Sequence, residues 1–242
     1  MTVQSRQYAQ SFLVTTEMPC PYLPGRMERK LVTDLSGPGG SDAYEVMSRA
    51  GFRRSHSIAY RPACSACHAC VPIRVVASAY RAGRSLARNE RDNGDLTIAL
   101  VPPRRTVEHF SLFSRYLNDR HGDGEMVGMS AAEYGAMIED SPLDTCLMEC
   151  RTPEGRLVAC CLTDRTRDGL SAVYSFFDPD LTWRGLGNFV ITRMIRRAQA
   201  ENLPYVYLGY WIESSRKMSY KTRFRPAEIL GPQGWIPFRP RA

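Results

Sequence analysis

Between residues 144 and 212 the sequence alternates in a way that few folds accommodate. Three short runs, about 144–151, 156–163 and 170–177, are parted by the turn-forming stretches TPEG and RTRDG. Short runs of this kind between turn signals read as strands of an antiparallel meander. WRGLG (Trp183 to Gly187) then leads into a helical pattern near 187–200 that ends before Leu203-Pro204. PYVYLGYWI (Pro204 to Ile212) follows, an aromatic-rich run suited to a buried strand. Upstream, Val107, Phe110, Phe113 and Leu117 recur at close to helical spacing over 105–120. Ser130 and Glu133 form an S-x-x-E capping box that opens a second helix, and HGDGEMVGM before it reads as a loop. This order predicts the α/β (α+β) class, a mixed sheet with helices on both faces.

The region before residue 100 is different: rich in arginine, cysteine and turn residues such as SGPGG (Ser36 to Gly40). The adjacent prolines of VPPRR (Val101 to Arg105) break both helix and sheet, so a boundary is expected there. A smaller cysteine-containing domain at 1–100 and a larger one at 101–242 fit the length of 242 residues. No internal repeat is visible. The formal charge of +7 favours a polyanionic partner. No apolar run reaches the roughly 18 residues of a membrane span. The first twenty residues carry no long apolar stretch of a secretory signal, so a cytoplasmic protein with reduced thiols is expected.

Eight cysteines are present. RPACSACHAC places Cys64, Cys67 and Cys70 three apart, and a tight loop can turn thiolates at that spacing to one side. Tetrahedral zinc needs four ligands, and iron–sulfur clusters usually take four thiolates. Cys20 in PCPYLPGR is the natural fourth candidate and His68 a second. A metal-free motif, its thiols packed or redox-active, remains the other reading. Cys146, Cys150, Cys160 and Cys161 fall on expected strands, where core packing is the better account.

Arg81, Arg84, Arg88 and Arg91 would form one basic stripe on a helix, and Arg193, Arg196 and Arg197 another on the helix after the glycine turn. RKMSYKTRFRP adds Arg216, Lys217, Lys221, Arg223 and Arg225, with Tyr220 and Phe224 interleaved. Such residues bind phosphates and stack on unpaired bases, or simply make a solvated charged surface. The first stripe lacks the apolar face that membrane binding needs. The glycine turn at Arg184, Gly185 and Gly187 either binds an anion at a helix start or is an ordinary turn. Asp178 in SFFDPD could accept a proton, hold an amine, or cap the next turn.

In this order the segments CPYLPGR, GFRRS, YRPACSACHACVPIR, TDRTRDGLSAVYSFFDPD, RGLGNFVI and LPYVYLGYWIESSRKMSYKTRFRP closely resemble the bacterial aspartate/glutamate leucyltransferases. Those enzymes are relatives of the eukaryotic arginyl-tRNA–protein transferases, and the resemblance runs from about residue 9 to 236. The second half also resembles the acyl-CoA N-acyltransferase fold, in which a glycine turn opens a helix beside splayed central strands. The resemblance implies transfer of leucine from Leu-tRNA to the α-amine of proteins beginning with Asp or Glu, creating an N-end-rule degradation signal. It requires no cofactor for catalysis. The eukaryotic relatives carry two cysteine pairs linked to zinc or an iron–sulfur cluster, but Leu23 stands here where a paired cysteine would be.

On that reading Asp178 orients the amine or takes its proton, while Tyr174 and Tyr207 or backbone N–H groups stabilise the oxyanion. An Arg fork would select the acceptor carboxylate: Arg53 and Arg54, or Arg223 and Arg225. The aminoacyl end of the tRNA would lie over Arg184, Gly185, Gly187, Lys217 and Lys221, with Arg81, Arg84 and Arg88 tracking duplex phosphates. The competing readings are an arginyl-tRNA donor, a coenzyme A-dependent N-acetyltransferase and a non-catalytic RNA-binding module.

Overall fold

The run Leu157–Thr166 is buried at every position but Arg165, and the reason lies in what covers it. The computed structural model describes residues 10–120 and 126–239. Its first part holds β1 (Leu13–Val14), β2 (Met18–Pro19), β3 (Met27–Glu28), β4 (Lys30–Asp34), α1 (Gly40–Arg49), β5 (Arg53–Ser55), β6 (Ile58–Pro62), β7 (Val71–Val76), α2 (Arg84–Asp92) and β8 (Thr97–Val101). There follow α3 (Val107–Arg120), α4 (Ala131–Glu139), β9 (Asp144–Arg151), β10 (Leu157–Thr166), β11 (Gly169–Phe177), α5 (Leu186–Ala200), β12 (Tyr205–Trp211), β13 (Ala227–Gly231) and β14 (Gly234–Pro237). Short 3-10 turns span Pro179–Arg184 and Arg216–Arg223.

An eight-stranded sheet runs in the order β14-β13-β7-β12-β11-β10-β9-β8. The strands β9, β10 and β11 form the expected antiparallel meander, and β11 pairs with β12 in parallel. Helix α5 packs on one face of this sheet and α3 on the other. A strand covered on both faces has no solvent side, so alternation disappears and the first six residues of β10, Leu157 to Leu162, read as one apolar run. Successive side chains still point to opposite faces. Cys161 accordingly joins Val190, Met194 and Ile195 of α5, while Cys160 joins Phe113 and Leu117 of α3. Cys150, Cys160 and Cys161 are fully buried packing residues, and Cys146 is half-buried.

The two sequence-expected helices form as α3 and α4. The Ser130 side chain accepts from the Glu133 backbone N–H at 3.2 Å, and Glu133 accepts from the Ser130 N–H at 2.7 Å. Residues 121–125 of the loop expected between them lie outside the described residues.

The first hundred residues do not keep to themselves. A four-stranded sheet, β1-β4-β6-β5, and the β2-β3 hairpin make a small unit around Leu35, Tyr44, Met47, Phe52 and Ala59. Strand β7, however, lies between β13 and β12 inside the large sheet, and β8 is its edge. The large sheet therefore takes strands from both sides of residue 100. The basic stripe expected over Arg81–Arg91 is also shorter: α2 begins at Arg84, so Arg81 precedes it and donates to the Tyr80 carbonyl. Among the described residues no helix is long and apolar enough to cross a membrane.

Candidate active site

Strands β11 and β12 pair only from Gly169↔Tyr205 to Ser171↔Tyr207, and beyond that they part. Parting leaves backbone carbonyls without a neighbouring strand, and buried carbonyls need donors. Arg53, from β5 of the small unit, supplies them. Its Nη2 donates to the carbonyls of Ala172 (2.7 Å) and Val173 (2.8 Å), and its Nη1 donates to Leu208 (3.4 Å). Gly209, at φ +75°, makes the fit possible: a Cβ there would lie 1.4 Å from Nη1. Lys221 closes the same end, donating from Nζ to the Tyr210 carbonyl at 2.5 Å. Its side chain is buried, and burial, aided by the Arg53 charge, pulls its pKa down to about 7.

At the mouth of the parted strands is an open cleft of about 450 Å³. The turn Gly185–Asn188 opens α5 at one wall, with Gly185 left-handed at φ +58°. Tyr116 and Arg120 come from the end of α3, Ser175 and Phe177 from β11, and Lys217 and Tyr220 from the 3-10 turn after β12. Tyr116 and Phe177 meet edge to face at 4.8 Å, and the Arg120 guanidinium lies 5.6 Å from the Phe177 ring centroid. Among the described residues, Arg120 and Lys217 are the charged side chains of this cleft. The site offers a helix start and two cations for anions, aromatic faces for bases, and an apolar wall of Leu181, Leu186 and Phe177.

Of the sequence-predicted site residues, Gly185, Gly187 and Lys217 come together here, whereas the others do not. Arg184 turns away and pairs with both Asp95 oxygens at 2.8 and 2.9 Å. Lys221 is in the interior rather than on an RNA-facing surface. Asp178 is 1% exposed, caps the following turn, and is paired with Arg115 (2.8 Å) and Arg156 (3.2 Å). Both its oxygens are engaged, and it does not line the cleft. Tyr174 packs 5.9 Å from Phe113 in the α3 core, and burial raises its pKa. Tyr207 donates to Asp168 (3.0 Å) and accepts from Arg74 (3.2 Å); burial first, then the Asp168 charge, raises its pKa. Neither tyrosine lines the cleft, so Asp178, Tyr174 and Tyr207 do not form one constellation.

The four arginines expected to select the acceptor are likewise elsewhere. Arg53 fills the strand gap. Arg54 is locked to Asp164 through two hydrogen bonds, both side chains fully buried. Arg223 and Arg225 are exposed, the first beside Ser85 (3.5 Å) and the second bonded to the Thr222 carbonyl (2.9 Å). Arg84 and Arg88 project from α2 and, with Arg81, are exposed. The cleft residues Tyr116 and Arg120 escaped the sequence reading. They are four apart at the end of α3, a spacing that puts both on one face.

Cys20, Cys64, Cys67, Cys70 and His68 line one separate cleft of about 430 Å³. Burial, reinforced by the three other sulfurs, pushes the Cys70 thiol up to about 12. Among the described residues, no group of three or more Cys, His, Asp or Glu side chains is arranged to hold a metal ion. The four sulfurs are gathered around this one cleft.

The sequence matches the family description "Arginine-tRNA-protein transferase, N terminus" over residues 18–88 and "Arginine-tRNA-protein transferase, C terminus" over residues 108–231. An aspartate/glutamate leucyltransferase of Paramagnetospirillum magneticum is 53% identical over 229 residues, covering 95% of this chain and 94% of that protein. The namesake of Granulibacter bethesdensis is 51% identical, covering 94% and 85%. Among solved structures, L-PGS from Bacillus licheniformis aligns with TM-score 0.50 at 13% identity, over 76% of this chain and 62% of that one. The C-terminal domain of a putative lysylphosphatidylglycerol synthetase from Agrobacterium fabrum aligns with TM-score 0.50 at 14%, over 78% and 61%. The structural likenesses establish a shared mixed-sheet fold, and with the matched segments spanning most of its length the chain belongs to the arginine-tRNA–protein transferase family, alongside the aspartate/glutamate leucyltransferases.

Proposed function

We propose that this enzyme moves leucine from Leu-tRNA to the α-amine of cytoplasmic proteins that begin with Asp or Glu, tagging them for N-end-rule degradation. The observation that carries this reading is the cleft at the mouth of β11 and β12. Its helix start and Lys217 suit the terminal phosphates of the RNA, its rings suit the terminal base, and Arg120 supplies a planar fork for the acceptor carboxylate. The donor ester is already activated, so no covalent enzyme intermediate is needed. The acceptor nitrogen attacks the ester carbonyl carbon, an amide bond forms, and the ester C–O bond breaks. The amine proton leaves with the ribose oxygen. An α-amine has a pKa near 8, so enough is unprotonated at neutral pH. The enzyme's task is then alignment.

Two features favour leucine over the alternatives. A cleft whose charged groups are Arg120 and Lys217 repels an arginyl side chain, while Leu181, Leu186 and Phe177 offer it an apolar wall. The gap between the parted strands is filled by Arg53, which leaves no lane for the extended arm of an acyl-CoA. The test uses labelled Leu-tRNA, Arg-tRNA and acetyl-CoA against peptides starting with Asp, Glu, Lys or Ala. Transfer from Leu-tRNA to the Asp and Glu peptides alone is expected. Equal use of Arg-tRNA, or any use of acetyl-CoA, overturns the assignment.

A further inference from the structure

Trp183 is 70% exposed, whereas Trp211 and Trp235 are partly covered. Leaving an indole in water forgoes the largest burial gain of any side chain, so a solvent-facing Trp in a held position needs a reason. This one is held. The Arg184 guanidinium lies 4.7 Å from its ring centroid, and that guanidinium is fixed by two hydrogen bonds to Asp95. The Arg184 carbonyl accepts from Asn89 (2.7 Å) and Asn93 (2.8 Å) at the end of α2. The indole is thus backed by a cation on a braced segment rather than swinging from a loop.

Its neighbours give the direction. On one side in sequence Thr182 lines the reaction cleft. On the other, Arg184 is fastened to α2, the helix from which Arg84, Arg88 and Arg91 project to solvent. Trp183 therefore stands in the chain between a residue that lines the cleft and a residue fastened to α2. The tRNA 3′ end is a short unpaired stretch, and its bases must leave the duplex stack to reach a catalytic site. Unpaired bases stack on aromatic faces, and the indole offers the broadest one.

We propose that Trp183 is the stacking platform for an unpaired base of the donor tRNA's 3′ end, bridging the basic face of α2 and the reaction cleft. The inference rests on the aminoacyl-tRNA reading given above. It assigns Trp183 to donor binding, with no part in acceptor recognition or in the chemical step.

The experiment measures steady-state transfer of leucine to an Asp-initiated peptide by wild type, Trp183→Ala and Trp183→Phe. The expected result is a rise of about 5- to 100-fold in the KM for Leu-tRNA in the alanine variant. The effect falls on that KM rather than on kcat or the peptide KM, and phenylalanine recovers most of it. In parallel, a short RNA ending in CCA should quench part of the wild-type tryptophan fluorescence, and Trp183→Phe should abolish that part. The fluorescence arm reads the wild-type protein, so it stands even if the alanine variant folds poorly. A donor KM within twofold of wild type, a loss that falls on the peptide KM instead, or quenching that persists without Trp183 overturns the proposal. Every comparison is made against a wild type that transfers leucine, so failure of transfer itself sinks the functional reading and not this one.

Discussion

Arg54 and Asp164, 110 residues apart, face each other through hydrogen bonds of 2.7 and 2.8 Å with no side-chain exposure on either partner. Thr145 donates a further bond to the same carboxylate at 2.7 Å. The pair fastens β5 of the small unit to β10 of the large sheet. Removing one partner strands a buried charge, which costs about 3–5 kcal/mol. Arg54→Ala should lower the midpoint of urea unfolding accordingly. The double variant Arg54→Leu with Asp164→Leu should lose much less than the two single losses combined. Additive losses in the unfolding curves would show that the two groups are not coupled.

Lys221 predicts how stability varies with pH. Its folded pKa, about 7, lies below its ordinary value of 10.5, because burial disfavours the charged amine. The unfolded chain therefore holds this proton more tightly than the native one. The penalty is full below pH 7 and fades as pH rises from 7 to 10.5, at about 1.4 kcal/mol per pH unit. Lys221→Met should raise the melting temperature most near pH 6, and its advantage should shrink steadily by pH 10. A constant difference across that range would contradict a buried, neutralising amine.

On the proposed function, Arg120 is the fork offered to an acceptor carboxylate in the cleft. Replacing it with methionine should cut kcat/KM for a Glu-initiated peptide by about 10- to 100-fold, the worth of a charge-assisted hydrogen bond. A Gln-initiated peptide, already poor, should change little, so the Glu/Gln ratio collapses. Lysine at this position should restore part of the ratio, having charge but no fork. An unchanged ratio in Arg120→Met would move acceptor selection elsewhere.

The face of α2 should reveal itself through salt. Each phosphate contact removed flattens the dependence of log KM on log salt by about 0.7–0.9. Replacing Arg84 and Arg88 with glutamine together should therefore reduce the slope for Leu-tRNA by between one and two. The peptide KM should not respond. A parallel displacement with the slope intact would mean that neither side chain meets a phosphate.

What could be read in the sequence was local. The capping box of Ser130 and Glu133, the periodicity of α3 and the glycine turn at Arg184 to Gly187 depend on residues a few positions apart. The strands from Asp144 to Phe177 announced themselves through the turn stretches TPEG and RTRDG that part them. The site was harder. Arginines are abundant, and sequence does not reveal which are spent on internal partners: Arg54 on Asp164, Arg184 on Asp95, Arg53 on three carbonyls. Each pairing spans tens of residues or more, so it is set by tertiary packing and not by spacing. Asp178 fits the same pattern, since both Arg115 and Arg156 reach it from other elements. Gly187 and Lys217 were legible because a helix start and an exposed basic turn need no distant partner.

The place of β7 bears on how the chain is made. Its Val75 pairs with Val206 and with Ala227, roughly 130 and 150 residues further along. At a synthesis rate of about 5–20 residues per second, its two neighbours emerge about seven to thirty seconds after it does. Throughout that interval a strand with no exposed residue along its length waits without either of its pairing edges satisfied. A ribosome that stalls, or a protease that cuts, anywhere between residues 76 and 205 leaves an adhesive fragment rather than a smaller working protein.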